Sequence, residues 1–371
     1  MKQNDILFIH GTDYKNMTLR ILEAADLKGL IGDTKKSIAL KPNLVTTTPP
    51  EDGATTHPEI VAGVLEYLQS NGFHNLSVME SAWVGARTKD VFDICYLGRV
   101  CEQYGVPFYD LKKDSHTTLD AKGMDIAVCD RALQTDFMIN LPVFKGHGQT
   151  KITCALKNNK GVIPDFEKRR FHVLGLTKPI AHLNTVCKND FILVDNICGD
   201  LDFEEGGNPV VMNRILAFRD PVLCDAFVCE NMGYRIEDVP YVGLAEKLGV
   251  GSADVSGANR IYVNRPEEEK LPDGASNEQH TYRPTGRVKR LAAHTKQNNA
   301  CSACYGALIR ALSVMERHGT LRGLKETVCV GQGFQGETGA CGVGRCTAQF
   351  AKSLPGCPPD AAQIVRFLEE A

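Results

Sequence analysis

The sequence predicts a mixed α/β fold in which helices cover a largely parallel sheet, with a smaller, cysteine-rich iron–sulfur domain at the C-terminal end. Short apolar runs alternate with helical patterns through about residue 250, and the chain then turns polar and charged. Six of its 14 cysteines follow residue 300. We therefore predict an α/β domain over residues 1–263, a polar linker or exposed excursion over 264–297, and the iron–sulfur domain over 298–371.

Seven apolar runs have the length and composition of strands. They are residues 6–9, 37–40, 76–80, 107–111, 137–141, 191–194 and 212–218. Helical patterns lie between most of them, as is typical of a parallel sheet. His57-Pro58 and Asp220-Pro221 each place proline at the first position of a helix, where its missing N–H is tolerated. In the C-terminal domain we expect helices over 301–317 and 360–370 and a strand over 327–330.

The composition is that of an ordinary soluble globular protein. The 42 basic and 45 acidic side chains give a formal net charge of -3, without the clustered basic footprint that nucleic-acid binding needs. No apolar run reaches the length of a membrane span. The first residues lead directly into a short strand-like run rather than a signal peptide. We expect a cytoplasmic protein with neither a nucleic-acid nor a membrane partner.

The strongest chemical signal is the spacing of the last cysteines. Cys301 and Cys304 form a C-x-x-C pair, whose two thiolates can reach one metal centre from a single turn. Cys346 and Cys357 supply two further ligands, and nearby glycines let backbone N–H groups approach the sulfur atoms. We predict that these four cysteines bind a 4Fe–4S cluster, with Cys341 as an alternative ligand.

A structural zinc site is the alternative for the same cysteines. Zinc ribbons usually repeat the C-x-x-C pair, whereas ten residues separate Cys346 from Cys357. The spacing therefore favours iron–sulfur over zinc. Residues 331–336 match the dinucleotide-binding pattern G-x-G-x-x-G, but no helix is predicted directly after them. We interpret this segment as a glycine-rich loop beside the cluster.

Basic and imidazole side chains recur just after the predicted strands of the first domain. Ligands of an open parallel sheet bind beyond the carboxyl ends of its strands, so these side chains are expected to meet in one crevice. A single lysine is more commonly solvated, but a cluster favours an anion such as a carboxylate or phosphate. The predicted catalytic residues are Lys41, His57, Lys145, His147 and Lys157. The predicted substrate-binding residues are Asn43, Asn158, Lys160, His172, Asp195 and Asp225.

The first domain also contains a series of motifs in a characteristic order. They are Lys41-Pro42-Asn43-Leu44-Val45, His57-Pro58, residues 140–147 and 155–161, Phe171-His172, Val194-Asp195 and residues 220–226. In content and order they resemble the domain of unknown function 362 family of bacteria and archaea. Because members of that family are often iron–sulfur proteins of anaerobes, the resemblance implies the same for this chain. The compact ferredoxin-like cysteine run that many members append does not occur in this sequence.

Three functions remain open at this point. The first is a redox enzyme in which the cluster passes electrons to, or polarises, a small anion held in the crevice. The second is an electron carrier or cluster-handling protein without a substrate of its own. A non-redox, anion-binding enzyme with a structural zinc site is a third alternative. The many convergent polar groups of the first domain favour the enzyme. The sequence also leaves open whether the chain has a redox partner protein and whether it forms a homo-oligomer.

Overall fold

The computed structural model of the chain describes residues 1–265 and 283–370. Its strands, in chain order, are β1 (Asp5–His10), β2 (Ile38–Pro42), β3 (Leu76–Glu80), β4 (Phe108–Asp110), β5 (His116–Asp120), β6 (Asp125–Cys129), β7 (Phe137–Leu141), β8 (Lys145–His147), β9 (Lys151–Thr153), β10 (Phe191–Asp200), β11 (Pro209–Phe218), β12 (Asn259–Tyr262), β13 (Thr295–Gln297), β14 (Val328–Val330), β15 (Cys341–Val343) and β16 (Lys352–Leu354). Its α-helices are α1 (Tyr14–Ala24), α2 (Leu27–Ile31), α3 (Pro58–Ser70), α4 (Thr88–Ile94), α5 (Leu97–Tyr104), α6 (Asp130–Gln134), α7 (Ala155–Asn158), α8 (Asp165–Val173), α9 (Thr177–Leu183), α10 (Pro221–Asn231), α11 (Pro240–Lys247), α12 (Arg287–Ala292), α13 (Ser302–His318) and α14 (Ala361–Glu370).

Eight strands form one large sheet in the order β12-β1-β11-β10-β7-β2-β3-β4. Neighbouring strands are parallel except where β11 pairs with β1 and with β10, because β11 runs back along β10 after a short connection. All seven predicted strands are confirmed as members of this sheet. The predicted α/β class with a largely parallel sheet is therefore confirmed.

Helices cover both faces of the large sheet. Leu7 and Ile9 of β1 belong to an apolar core that α1 and α3 close. Ile6 and Phe8, which point to the opposite face, belong to a second core that α10 and α11 close. A sheet buried on both faces explains why its central strands are apolar throughout rather than alternating. The helices α3 and α10 begin at the predicted prolines.

Two antiparallel hairpins were not predicted. They pair β5 with β6 and β8 with β9. Strand β5 is mostly exposed and polar, and β8 consists of Lys145-Gly146-His147, which lacks the apolar alternation that predicts a strand. The second hairpin matters for function because all three residues of β8 are buried.

The last part of the described chain forms its own sheet and apolar core. Strands β13, β14, β15 and β16 pair in that order, all in parallel. The predicted C-terminal helices and strand are confirmed as α13, α14 and β14. The core draws on residues 288–368, together with Phe203 from the connection between β10 and β11.

The predicted polar linker is only partly described. Residues 266–282 lie outside the described residues, and from Arg283 onward the rest of the stretch contains α12 and β13. Within the G-x-G-x-x-G segment, Gln332–Phe334 forms a single 3-10 turn rather than the start of a dinucleotide-binding helix. A search of the described helices found none that is both long and apolar enough to cross a membrane.

Candidate functional site

A cavity lies beyond the carboxyl ends of β2 and β3, and we call it the basic crevice. Water can reach about 80 Å³ of its interior. The start of α13 forms one wall, so the C-terminal part of the chain helps to enclose it. Its polar lining consists of Asn43, Glu80, Ser81, Trp83, Lys145, Thr153, Lys157, Asn158, Lys160, Lys168, His172, Glu204, Cys301 and Ser302.

Lys157 and Lys160 are the half-buried cations of the basic crevice. Lys157 lies on the short helix α7, and its Nζ contacts Thr153 Oγ1 at 3.3 Å. Lys160 follows in the next turn, with its Nζ 3.3 Å from His172 Nε2. Burial lowers the pKa of each lysine to about 7. Over residues 1–265 and 283–370, no carboxylate oxygen lies within salt-bridge distance of either ammonium group.

Lys145 lies fully buried in the wall of the same cavity. Its Nζ donates to Asn43 Oδ1 at 2.9 Å, to the Ala54 carbonyl at 2.5 Å and to the Glu204 carbonyl at 3.0 Å. All three acceptors are neutral groups, and burial lowers the pKa of Lys145 to about 7. An anion in the crevice would therefore favour the charged form of this lysine as well.

A chain of asparagine amides holds the floor of the crevice. Asn43 Nδ2 donates to Asn158 Oδ1 at 2.7 Å, and Asn158 Nδ2 donates to Asn140 Oδ1 at 2.7 Å. Asn140 in turn donates to Asn189 Oδ1 at 2.9 Å. Because each side-chain amide donates a hydrogen bond to the next one, the orientations of Asn43 and Asn158 are fixed before any ligand binds.

Lys168 is a crevice residue that the sequence interpretation did not name. Its Nζ donates to Ser81 Oγ at 2.5 Å and to the carbonyls of Ser81 and Ala82 at 3.0 and 2.9 Å. Burial lowers the pKa of Lys168 to about 8. A signal for it does exist in the sequence, since Lys168 and His172 are four residues apart and thus share one face of α8.

Lys41 lies behind the crevice rather than in its lining. Its Nζ donates to Glu80 Oε2 at 2.5 Å, and both side chains are essentially inaccessible. Burial raises the pKa of Glu80, and the other oxygen of this carboxylate accepts the Ser81 backbone N–H at 2.7 Å. The ion pair therefore holds the turn after β3, which carries four of the lining residues, Ser81 to Val84.

His147 and His172 occupy different positions relative to the crevice. His147 Nδ1 lies 3.0 Å from Glu204 Oε2, so it contacts a lining residue without being one itself. His172 lines the crevice, and its Nε2 accepts the Ser302 backbone N–H at 3.3 Å. Burial lowers the pKa of His147 to about 4 and that of His172 well below its usual value. Both rings are therefore neutral near pH 7.

His57 and Asp195 form a separate buried pair. Asp195 Oδ2 accepts the His57 backbone N–H at 2.7 Å and lies 2.8 Å from the ring Nδ1. Burial opposes the charged ring, but Asp195 outweighs it and raises the pKa of His57 to about 11. The thiol of Cys198 lies 3.9 Å from the other ring nitrogen. The pair joins the start of α3 to β10 and does not line the crevice.

Asp225 lies beneath the crevice in the second apolar core. Its Oδ1 accepts the Leu156 backbone N–H at 3.3 Å, which attaches the start of α7 to α10. Burial raises the pKa of Asp225 to about 7. Asp225 therefore supports the helix that carries Lys157 and Asn158 without touching the cavity.

The four predicted cluster ligands lie in one neighbourhood. Cys301 and Cys304 flank the first turn of α13, Cys346 lies in a 3-10 turn after β15, and Cys357 precedes α14. Burial, followed by the charges of the other three thiols, raises the pKa of Cys304 to about 12. Burial and, after it, the charges of Cys346 and Cys357 raise the pKa of Cys301 to about 11. Cys301 also lines the crevice.

Cys341 and Gly344 show how the chain is arranged around these thiols. Cys341 is buried in β15, where burial, Glu326 and the neighbouring Cys329 raise its pKa. Its interactions are thus with the adjoining strand and not with the other four cysteines.

Gly344 has φ of +94°, and a Cβ added there would lie 3.7 Å from Cys304 Sγ. An added Cβ would make only ordinary contact with that sulfur, so it is the positive φ that favours glycine at this position.

The structure thus brings together some of the predicted site residues and separates others. Those that line the basic crevice are Asn43, Lys145, Lys157, Asn158, Lys160 and His172. Those that lie outside its lining are Lys41, His57, His147, Asp195 and Asp225. Glu80, Ser81, Thr153 and Glu204 join Lys168 as lining residues that were not predicted. Their residue types gave no distinctive signal, because isolated carboxylates and hydroxyls in turns are usually solvated.

Comparisons with known proteins find one family model and several similar proteins. Residues 38–230 match the family model described as Domain of unknown function (DUF362). A thylakoid-associated protein of Synechocystis sp. is 27% identical over 224 residues, which is 57% of this chain and 68% of that protein. The solved structure of a lactate racemase apoprotein from Thermoanaerobacterium thermosaccharolyticum aligns with a TM-score of 0.42 and 15% identity. That alignment covers 62% of this chain and 56% of the racemase.

Proposed function

The chain belongs to the DUF362 family, and we propose that it is an iron–sulfur redox enzyme whose basic crevice binds a small anionic substrate. The observation that carries the proposal is that Lys157, Lys160 and Cys301 line the same cavity. A site for a negatively charged molecule is thereby adjacent to a group of four cysteines. We also propose a cytoplasmic location, because reduced thiols persist in a reducing compartment.

Four lysines line the basic crevice against two carboxylates, Glu80 and Glu204, and this excess of basic side chains favours an anion. Lys145, Lys157 and Lys160 are buried or half-buried, and their ammonium groups contact only neutral partners among the described residues. Burying a cation without a counter-ion is costly, and a bound anion offsets that cost. Water reaches about 80 Å³ of the crevice, and the ligand that we propose for it is a small carboxylate or phosphate.

The four cysteines fit an iron–sulfur cluster held by Cys301, Cys304, Cys346 and Cys357. A single tetrahedral zinc ion would hold its sulfur ligands about 3.8 Å apart. Among the described residues, the one group of three or more metal-ligand side chains with all ligand atoms within 4.8 Å contains none of these cysteines. No three of their sulfur atoms therefore lie all within 4.8 Å of one another, which favours the larger cubane over one zinc ion. When bound, such a cluster would supply one-electron transfer or a Lewis-acidic iron.

The residues of the crevice have distinct tasks in this proposal. Lys157 and Lys160 bind the negative charge of the substrate, and the fixed amides of Asn43 and Asn158 orient it. His172 links the two parts of the site, because its ring contacts both the Lys160 ammonium and the first N–H of α13. The carboxylate of Glu204 lines the same cavity, and because its Oε1 has no hydrogen-bond partner among the described residues, it could exchange a proton with a substrate there.

The proposal is tested on anaerobically purified protein by measuring iron, acid-labile sulfide and zinc, with electron paramagnetic resonance before and after dithionite. We expect four irons and four sulfides per chain, and reoxidation of the reduced protein by small anions in a way that Lys157→Met impairs. One zinc without sulfide would instead indicate the structural zinc alternative. A reducible cluster whose reoxidation ignores every anion, but responds to a redox partner protein, would indicate an electron carrier.

A further inference from the structure

Three buried side chains beneath the crevice form a compact group that the proposed function does not use. Cys154 immediately precedes α7, and Cys224 and Asp225 lie side by side in α10. All three are inaccessible to solvent. One ligand atom from each lies within 4.8 Å of the other two, and the two sulfur atoms are 3.6 Å apart.

The carboxylate of Asp225 has an unused oxygen. Its Oδ1 accepts the Leu156 backbone N–H, whereas its Oδ2 has no hydrogen-bond partner within the described ranges. A buried carboxylate oxygen without a partner is expensive and rare. In this position it indicates a ligand that the two sulfur atoms can share.

From this arrangement we infer that Cys154, Cys224 and Asp225 bind one zinc ion, in a site separate from the C-terminal cysteines. Sulfur atoms around tetrahedral zinc lie about 3.8 Å apart, close to the observed 3.6 Å. Thiolate sulfur and carboxylate oxygen are both ligand types that zinc takes in proteins. Binding releases the two thiol protons, so the ligands carry three negative charges against two positive charges on zinc.

The surroundings suit the one negative charge that remains. Lys157, on the helix that Cys154 precedes, acts electrostatically on Asp225 and favours its charged form. The Tyr241 hydroxyl is buried beside the same carboxylate. A Cys154–Cys224 disulfide is a poorer explanation, because the sulfur atoms would have to approach to about 2.05 Å and Asp225 Oδ2 would keep no partner.

The zinc ion would act as a structural link. It would join α10 to the segment that carries Lys157 and Asn158, and so would fix the floor of the basic crevice. The inference does not depend on the proposed function, because it uses none of the four C-terminal cysteines and no substrate.

The test compares zinc content in full-length variants after loading with zinc and removal of free metal. Asp225→Asn keeps the shape of the side chain and the contact with the Leu156 N–H, and Cys224→Ala removes one sulfur ligand. Cys229→Ala is the matched control, since Cys229 is equally buried on the same helix and lies outside the group of three. We expect both ligand variants to lose one zinc ion per chain and the control to lose none. The Cys301→Ser protein should keep this ion.

X-ray absorption of the zinc-loaded wild-type protein provides a measurement that needs no variant. We expect a zinc population with two sulfur and two lighter ligands, distinct from the four-sulfur shell of a C-terminal zinc site. Equal zinc content in all variants together with an all-sulfur shell would overturn the inference. So would a Cys154–Cys224 disulfide, seen as an intact mass lowered by two hydrogens and located by mapping the linked peptides.

Discussion

The charge state of the crevice lysines makes anion binding strongly dependent on pH. Burial lowers the pKa of Lys145, Lys157 and Lys160 each to about 7, so each is half protonated at pH 7 and about 1% protonated at pH 9. An anion binds the protonated form and raises these pKa values again, so binding takes up protons. Each lysine that must be charged then weakens binding about 50-fold between pH 7 and pH 9, or about 2.3 kcal/mol.

The Lys157→Met variant isolates one of these charges. At pH 7 the loss of a charge-assisted contact should weaken anion binding about 10- to 100-fold. It should also lower the proton uptake on binding at pH 8–9 by about one. The folded pKa of Lys157 is depressed, so its charged form destabilises the free protein below about pH 7, and this penalty fades as the pH rises toward 10.5. The variant should therefore unfold at a higher temperature than the wild type at pH 6, and by a smaller margin at pH 9.

The assay is isothermal titration calorimetry with sulfate, whose charge does not change between pH 7 and pH 9. Each titration is run in two buffers of different ionisation enthalpy, so that the proton uptake can be extracted. Lys178→Met, an exposed position on α9, is the control and should behave as the wild type. Sulfate binding without proton uptake, or the same uptake in wild type and Lys157→Met, would refute the reasoning.

Three further predictions follow from the same structure. Cys357→Ser should strongly deplete iron and sulfide in the anaerobically purified protein whereas Cys341→Ser should largely keep them, and the reverse iron contents would overturn the ligand assignment. His57→Gln should lower the free energy of unfolding at pH 7 by about 1–3 kcal/mol. The difference from the wild type should narrow toward pH 9, because the stability contributed by a raised histidine pKa is full below about pH 6.5 and is lost as the pH rises toward 11. Denaturant titrations that give the same difference at pH 7 and pH 9 would contradict this prediction. Deletion of residues 298–371 should leave a soluble fragment that unfolds cooperatively, since the three other apolar cores use residues before 264. The fragment should no longer bind sulfate tightly. Aggregation of the fragment would show that the first part of the chain shares the apolar core around Phe203 with the deleted residues.

The main sheet could be predicted because its information is local. A parallel sheet buried on both faces needs continuous apolar strands, and runs such as 6–9 and 137–141 show that pattern without reference to any other part of the chain. The hairpin formed by β8 and β9 was missed because Lys145-Gly146-His147 has no apolar alternation. Its strand character depends on pairing with Lys151–Thr153 and on burial, which only the folded chain supplies.

The candidate site also has some residues that the sequence placed correctly and others whose position only the folded structure shows. The position of a residue after a strand placed Asn43 and Lys157 at one edge of the sheet, because the carboxyl ends of parallel strands share that edge. Sequence position did not indicate that Lys41 pairs with Glu80, or that His57 pairs with Asp195, 138 residues away. Lys41, His57 and Asp195 look like crevice residues in the sequence, yet these pairings hold all three behind or beside the cavity.

The sequence by itself determined the α/β class, the strands of the main sheet and the set of basic and cysteine residues available for chemistry, because periodicity and residue type are properties of short segments. Only the tertiary structure decided which lysines have neutral hydrogen-bond partners, and that Cys301 lies at the same cavity as Lys157 and Lys160. The charge state of a buried group depends on every neighbour within a few ångströms, and those neighbours come from distant parts of the chain.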